Sequence, residues 1–218
     1  MTTLPYVFDV CGTLYHSNTT YDFLLYYFRR HDGRKYRILR LGLSLPIKVL
    51  VVVSSKIGWK WDLRKHLIGL LSGEPEAKLR AVATHFVANW LTGREIDDVH
   101  TLLQQAKAQG HPVTLASGSL APVIQAIADR LKVDDFHAST LETDAYGVLT
   151  GKYLSDIKGC KEQALGLKDH TYILATDNLD DLPLIQKALK AYIVTKRKNL
   201  NNWKKRLSGL DVAYVVVK

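Results

Sequence analysis

Residues Leu4 to Leu14 read LPYVFDVCGTL, and the fold is read outward from them. Tyr6, Val7, Phe8 and Val10 are strand formers in a run too short for a helix, and Cys11-Gly12-Thr13 reads as a turn. An apolar run with little polar alternation suggests a strand buried on both faces, as in a parallel sheet. Asp9 stands where this strand meets its turn.

From Thr19 to Leu91 the apolar spacing is helical. Asn18 or Thr19 can cap a helix over Tyr21 to Arg30, which His31-Asp32-Gly33 interrupts. Pro46 separates two helical segments within the apolar run Ile38 to Ile57, and Trp59 to Leu71 is again helix-like. Ser72-Gly73-Glu74-Pro75 is a stop and a start, and Glu76 to Leu91 forms one more amphipathic helix. After Gly93 strands and helices alternate. Glu95 to Gln109 reads as a helix closed by Gly110. Val113 to Ala116 is a strand followed by the turn Ser117-Gly118-Ser119, and a helix over Ala121 to Leu131 begins with Pro122 in its first turn. Next come a strand at Phe136 to Thr140, a hairpin over Glu142 to Tyr153 and a helix at Cys160 to Leu165. A strand at Thr171 to Ala175 leads into the acidic turn Thr176 to Asp181. A helix from Leu182 to Leu189, a strand at Ala191 to Thr195, a helix at Leu200 to Leu207 and a strand at Val212 to Val217 finish the chain. This alternation implies βαβ units and a parallel sheet. The predicted organisation is an α/β core split after its first strand by an all-helical insert of about 75 residues, enough for a small domain.

In open α/β sheets ligands bind beyond the carboxyl ends of the strands. Asp9, Ser117 and Asp177 stand at such ends, with Asp180 and Asp181 just behind and a lysine, Lys158 or Lys161, upstream. A lone Asp in such a place is usually a turn former. Several carboxylates on one edge repel each other unless a cation sits among them, and an oxygen-only donor set suits a hard cation such as Mg²⁺.

With these residues in place, the chain resembles the haloacid dehalogenase superfamily of phosphohydrolases over essentially its whole length. Asp9-Val10-Cys11-Gly12-Thr13-Leu14 is similar to the first family motif, Asp-x-Asp-Gly-Thr-Leu. Leu115-Ala116-Ser117-Gly118-Ser119 is similar to the second. Thr176-Asp177-Asn178-Leu179-Asp180-Asp181-Leu182-Pro183-Leu184 is similar to the fourth, Gly-Asp-Ser-x-x-Asp-Leu-Pro. The insert after the first motif and the segment Leu141 to Gly151 resemble the phosphoserine-phosphatase-like branch, and the long apolar cap resembles members acting on phosphatidylglycerophosphate and other lipid-linked phosphates. The resemblance implies a Rossmann-like parallel sheet, with residues 1–16 and 93–218 as core domain and 17–92 as helical cap domain.

It also implies roles. Asp9 would be the nucleophile that forms an aspartyl-phosphate. Asp9, the Cys11 carbonyl and Asp177 would hold Mg²⁺, with Asp181 positioning a water ligand. Ser117 and the backbone around Gly118 and Gly12 would bind phosphate, and Lys161, or alternatively Lys158, would neutralise charge. Cys11 is the departure, since the family's phosphatases carry an Asp there as acid and base. A thiol is a poor substitute, and loss of general acid–base catalysis typically costs about 10²–10⁴ in rate. The expectation is a phosphatase on a small-molecule or lipid phosphate. Its alternatives are a catalytically impaired protein that binds a phosphorylated ligand and, further back, a dehalogenase.

Composition sets the outer limits. The 218 residues are 47% apolar and 23% charged, with two cysteines, which excludes a disordered chain or a disulfide scaffold. The opening residues do not read as a signal peptide, so the expected location is cytoplasmic. The net charge of +9 favours an anionic partner. The charge concentrates in the insert, at Arg29, Arg30, Arg34, Lys35, Arg37, Arg40, Lys48, Lys56, Lys60, Arg64 and Lys65. With the apolar Ile47 to Val53 and the aromatic Tyr26, Tyr27, Phe28, Trp59 and Trp61, this is the composition of an interfacial segment able to meet an anionic membrane. The competing reading is that these apolar residues only pack the insert's helices together. No nucleic-acid motif is present, so no nucleic acid partner is expected.

Overall fold

The computed structural model describes residues 3–46, 62–133 and 135–217. The expected segment Ile47 to Val53, with Lys48, Lys56, Lys60, Trp59 and Trp61, lies outside the described residues.

Seven strands form one sheet in the order β4-β3-β2-β1-β5-β6-β7. They are β1 (Tyr6–Phe8), β2 (Val113–Leu120), β3 (Asp135–Thr143), β4 (Leu149–Ser155), β5 (Ile173–Thr176), β6 (Lys190–Lys196) and β7 (Val212–Val217). All neighbours run parallel except the β3–β4 hairpin. Its turn is closed by the Asp144 side chain, which accepts from the N–H groups of Tyr146 and Val148 at 2.9 Å each. β1 sits at the centre, between β2 and β5. The chain builds outward on one side of β1 and then returns to its other side, so the carboxyl ends of β1 and β5 flank a topological switch point. Val7 and Phe8, 1% and 0% exposed, face opposite sides of the sheet into separate apolar clusters.

β2 departs from expectation. Ser117-Gly118-Ser119 is not a turn after the strand but its final part. Ser117 pairs with Ala138 and Leu120 with the next residue, Ser139. Gly118 and Ser119 are therefore extra on one strand, an irregularity of the β-bulge kind.

The insert opens with α1 (Thr19–His31), whose first turn is capped by Asn18. Asp32 ends α1 and caps α2 (Gly33–Gly42), its side chain accepting from Arg34 and Lys35 N–H. α3 (Leu63–Gly69) and α4 (Glu76–Asn89) follow. Between α3 and α4 the chain pairs with the hairpin, as Gly73 N–H donates to Leu149 and Leu149 N–H to Glu74, both at 2.9 Å. The remaining helices are α5 (Asp97–Ala108), α6 (Ala121–Leu131), α7 (Lys161–Leu165), α8 (Leu182–Lys187) and α9 (Leu200–Arg206). One buried cluster runs from Phe8, Leu115 and Val123 to the insert's Phe23, Leu71 and Phe86, all 0% exposed.

Candidate active site

Asp9 and Asp177 immediately follow the adjacent parallel strands β1 and β5, so their carboxylates meet at the switch point. Asp9 is anchored by its own N–H to the Ala175 carbonyl at 2.9 Å. Gly12 carries a φ of +74°, and a Cβ there would collide with the Asp177 carboxylate, so the turn requires glycine on both counts. Thr13 Oγ1 lies 3.3 Å from both Asp9 Oδ2 and Asp177 Oδ1 and shares its one proton between them. Lys161 Nζ donates to Asp9 Oδ1 and Asp181 Oδ2 at 2.8 Å each. Thr176 Oγ1 donates to the same Asp181 oxygen at 2.6 Å.

Two buried acids, Asp9 and Asp181, thus share one buried lysine. Burial alone would push the Lys161 ammonium down, but the Asp9 and Asp181 carboxylates outweigh it and hold its pKa above the usual range. Asp177 has no such partner. Burial, reinforced by the charge on Asp9, pushes it up to about 7. Burial also raises Asp181, moderated by Lys161. Among the described residues no three His, Cys, Asp or Glu side chains form a ready-made cation cage. The anionic oxygens that could hold a cation are those of Asp9 and Asp177. Burial and the Asp9 charge both disfavour an ionised Asp177, and a hard cation between the two carboxylates would relieve that repulsion.

On the opposite wall, Ser117 is 1% exposed and its Oγ accepts from Ser119 N–H at 3.2 Å. Cys11 Sγ lies 2.9 Å from Thr19 Oγ1 and 3.9 Å from Ser117 Oγ. Thr19 in turn donates to Ser119 Oγ at 2.8 Å. The protein packed around Cys11, and then the Asp9 charge, push the thiol's pKa up, so it stays neutral near pH 7. The cleft these groups line has a volume of about 240 Å³. Among its described lining residues the carboxylates are Asp9 and Asp177, and none is histidine.

Of the residues expected from sequence, the structure brings Asp9, Cys11, Ser117, Gly118, Lys158, Lys161 and Asp177 to this cleft, with Gly12 and Asp181 directly behind Asp177 and Lys161. The two candidate lysines are placed differently. Lys161 touches Asp9, whereas Lys158 packs its backbone and Cβ over Gly118. Sequence reasoning did not single out Arg64. Its side chain, 11% exposed, reaches from α3 to Asp156 and donates to the Gly118 carbonyl, while its guanidinium stands 4.6 Å from the centre of the Tyr153 ring. Asn18, Thr20 and Tyr21 of the insert also line the cleft.

Comparison with known proteins places this geometry. No curated protein matches the sequence significantly. The chain is similar in structure to a protein of unknown function from Bordetella pertussis Tohama I, at 18% identity over 97% of this chain and 98% of that one, with a TM-score of 0.73. It is similar to a phosphoserine phosphatase solved as a phospho-aspartyl intermediate analogue, at 15% identity over 100% and 95% of the two chains, with a TM-score of 0.59. Cytosolic 5'-nucleotidase IIIB bound to cytidine aligns at 15% identity over 97% and 80%, with a TM-score of 0.58. These likenesses establish a phosphatase-like fold. The sequence pattern of the haloacid dehalogenase-like hydrolases matches residues 6–186, most of the chain, and with the paired strand-end carboxylates and the buried lysine it shows that the protein belongs to that family.

Proposed function

We propose that the protein is a Mg²⁺-dependent phosphohydrolase that acts on phosphomonoesters through a phosphorylated Asp9. The supporting observation is the placement of Asp9 in a cleft, held by Lys161 at 2.8 Å and linked through Thr13 to the Asp177 carboxylate. Asp9 attacks phosphorus, the bond from phosphorus to the leaving oxygen breaks, and an acyl phosphate forms. Water then attacks that phosphorus and frees Asp9. Lys161 offsets negative charge on Asp9 and the phosphoryl group, and Ser117 with the nearby backbone N–H groups receives the phosphoryl oxygens. Asp9, the Cys11 carbonyl and Asp177 would hold Mg²⁺, with Asp181 at one remove. The ion when bound neutralises charge and polarises the phosphoryl group. Cys11, a neutral thiol, can hydrogen-bond the leaving oxygen but is a weak base for the water, so good leaving groups are preferred. The same observation favours a second reading, in which the protein binds a phosphorylated ligand and turns it over slowly.

The reading extends to substrate and place. Residues 17–92 form a cap domain on the core of 1–16 and 93–218, and its Asn18, Thr20, Tyr21 and Arg64 line the cleft. The protein is cytoplasmic, and its substrate is a small or lipid-linked phosphate met near an anionic membrane face. Support comes from the insert's basic residues and from Ile38, Leu41 and Leu45, which are 54%, 66% and 77% exposed at the end of α2 and beyond it. No helix among the described residues is long and apolar enough to cross a membrane.

The test is phosphate release from p-nitrophenyl phosphate with and without Mg²⁺, for wild type and Asp9→Asn. Release by wild type with Mg²⁺ alone, abolished in Asp9→Asn, is the expected result. Undiminished release by pure Asp9→Asn overturns the assignment. Calorimetric binding of phosphate without turnover selects the second reading.

A further inference from the structure

A second cavity lies between α1, α2 and the C-terminal end of α4, away from the catalytic carboxylates. Its volume is about 470 Å³, and Leu25, Tyr26, Arg29, Arg30, Tyr36 and Trp90 line it. This volume is within the usual range of about 300–1,000 Å³ for small-molecule sites. We propose that this cavity binds a small organic anion carrying a planar ring. The site is independent of the phosphohydrolase reading.

The charge of the ligand follows from the lining, which among the described residues holds two arginines and no acid. Arg29 has no hydrogen-bond or ion-pair partner among the described residues. The Arg30 guanidinium stands over Tyr26, 3.6 Å from the ring centre, and its Nη1 donates to the Tyr26 carbonyl at 3.2 Å. That leaves its guanidinium oriented, with further N–H groups to offer. The indole Nε1 of Trp90 is buried and has no hydrogen-bond partner. That nitrogen has almost no accessible surface, so the donors the cavity presents are the two guanidinium groups. The described lining therefore offers guanidinium donors and positive charge.

The shape of the ligand follows from the walls. Tyr26 is 8% exposed and fixed edge-on against Phe86 and Trp90, with ring centres 5.4 and 6.4 Å away. Arg94 lies 4.6 Å from the Trp90 ring centre and pins the indole. Tyr36, with Arg40 5.9 Å from its ring centre, joins Trp90 and Arg30 in the lining; such aromatic and guanidinium walls suit a planar ring, and the arginines suit its anionic substituent.

The experiment uses the full chain and two probes with one ring system. These are 8-anilinonaphthalene-1-sulfonate, which is anionic, and N-phenyl-1-naphthylamine, which lacks the sulfonate. Fluorescence titration is expected to show a saturable site for the sulfonate. Arg29→Gln and Arg30→Gln should each weaken it about tenfold, the usual scale for a charge-assisted hydrogen bond. Arg197→Gln, at the far end of β6, should leave it unchanged. The neutral probe should be insensitive to the arginine variants. Melting curves confirm that each variant is folded. The proposal is overturned if the double variant Arg29→Gln/Arg30→Gln binds the sulfonate as wild type does, or if both probes bind alike. It is equally overturned if arginine dependence appears only with phosphatidylglycerol vesicles and not with the soluble sulfonate, which would make the patch a membrane contact.

Discussion

The catalytic cleft and the cavity on the insert use charge in opposite ways. In the cleft the charges are committed. Lys161 is divided between Asp9 and Asp181, Thr13 between Asp9 and Asp177, and Arg64 between Asp156 and Gly118. On the insert the Arg29 charge has no partner among the described residues, although it lines a cavity. The difference separates two tasks. Buried acids need their geometry fixed in advance, since internal pairing is what makes such charges tolerable. A surface site that only binds can leave its donors for the ligand to satisfy.

The contrast can be broken most sharply at Cys11, the one position in the cleft where a committed charge is missing. Cys11→Asp supplies the absent acid and base, and kcat/KM for alkyl phosphates should rise by about 10²–10⁴, less for aryl phosphates that leave unaided. A folded, Mg²⁺-binding variant that is no faster would put the limit in the pocket instead. Next comes Lys161→Met, which strips the shared cation from two buried acids. Urea denaturation should show a loss of about 3–5 kcal/mol, as when one partner of a buried pair is removed. A loss below about 1 kcal/mol would mean that the acids are not charged in the native state.

Asp177 sharpens the contrast through pH. Its carboxyl ionises near 3.8 in the unfolded chain and at about 7 in the folded one. Between those values the folded state keeps a proton that the unfolded state has lost. This group's contribution therefore makes metal-free stability fall as pH rises through that window and level off above it. Melting curves of Asp177→Asn should lack this fall, and Mg²⁺ should raise the melting temperature of wild type more at pH 8 than at pH 5. A flat wild-type profile would separate Asp177 from the Asp9 charge. The smallest effects compare two arginines. Arg64→Gln, which removes a buried charge from Asp156, should cost about 1–3 kcal/mol, whereas Arg29→Gln should stay within about 0.5 kcal/mol. Equal effects would erase the distinction between committed and open charges.

Much of this was legible along the chain. Asp9 and Asp177 could be paired before any coordinates because each follows an apolar strand, and parallel neighbours bring such ends together. The insert was legible from the switch of period after the first strand. Lys158 and Lys161 could not be separated, because a helix as short as α7, five residues, gives no reliable phase. The Ser117-Gly118-Ser119 segment looked like a turn because glycine and serine say nothing of the pairing with β3 that keeps it extended. Arg64 was one basic residue among many, since its role depends on where α3 packs. The cavity around Trp90 has no signature in sequence order at all, as its walls come from three helices.

The apolar cluster that runs unbroken from Phe8 and Leu115 to Phe23 and Phe86 has a consequence for engineering. An inserted segment with a core of its own could be exchanged between relatives as a cassette. Here Phe23, Leu71 and Phe86 fill space that residues of the sheet and α6 would otherwise expose, so excising residues 17–92 would leave an open apolar face. Any chimera must carry the insert together with the side chains beneath it, and random mutations on either side of that seam should be found to compensate one another.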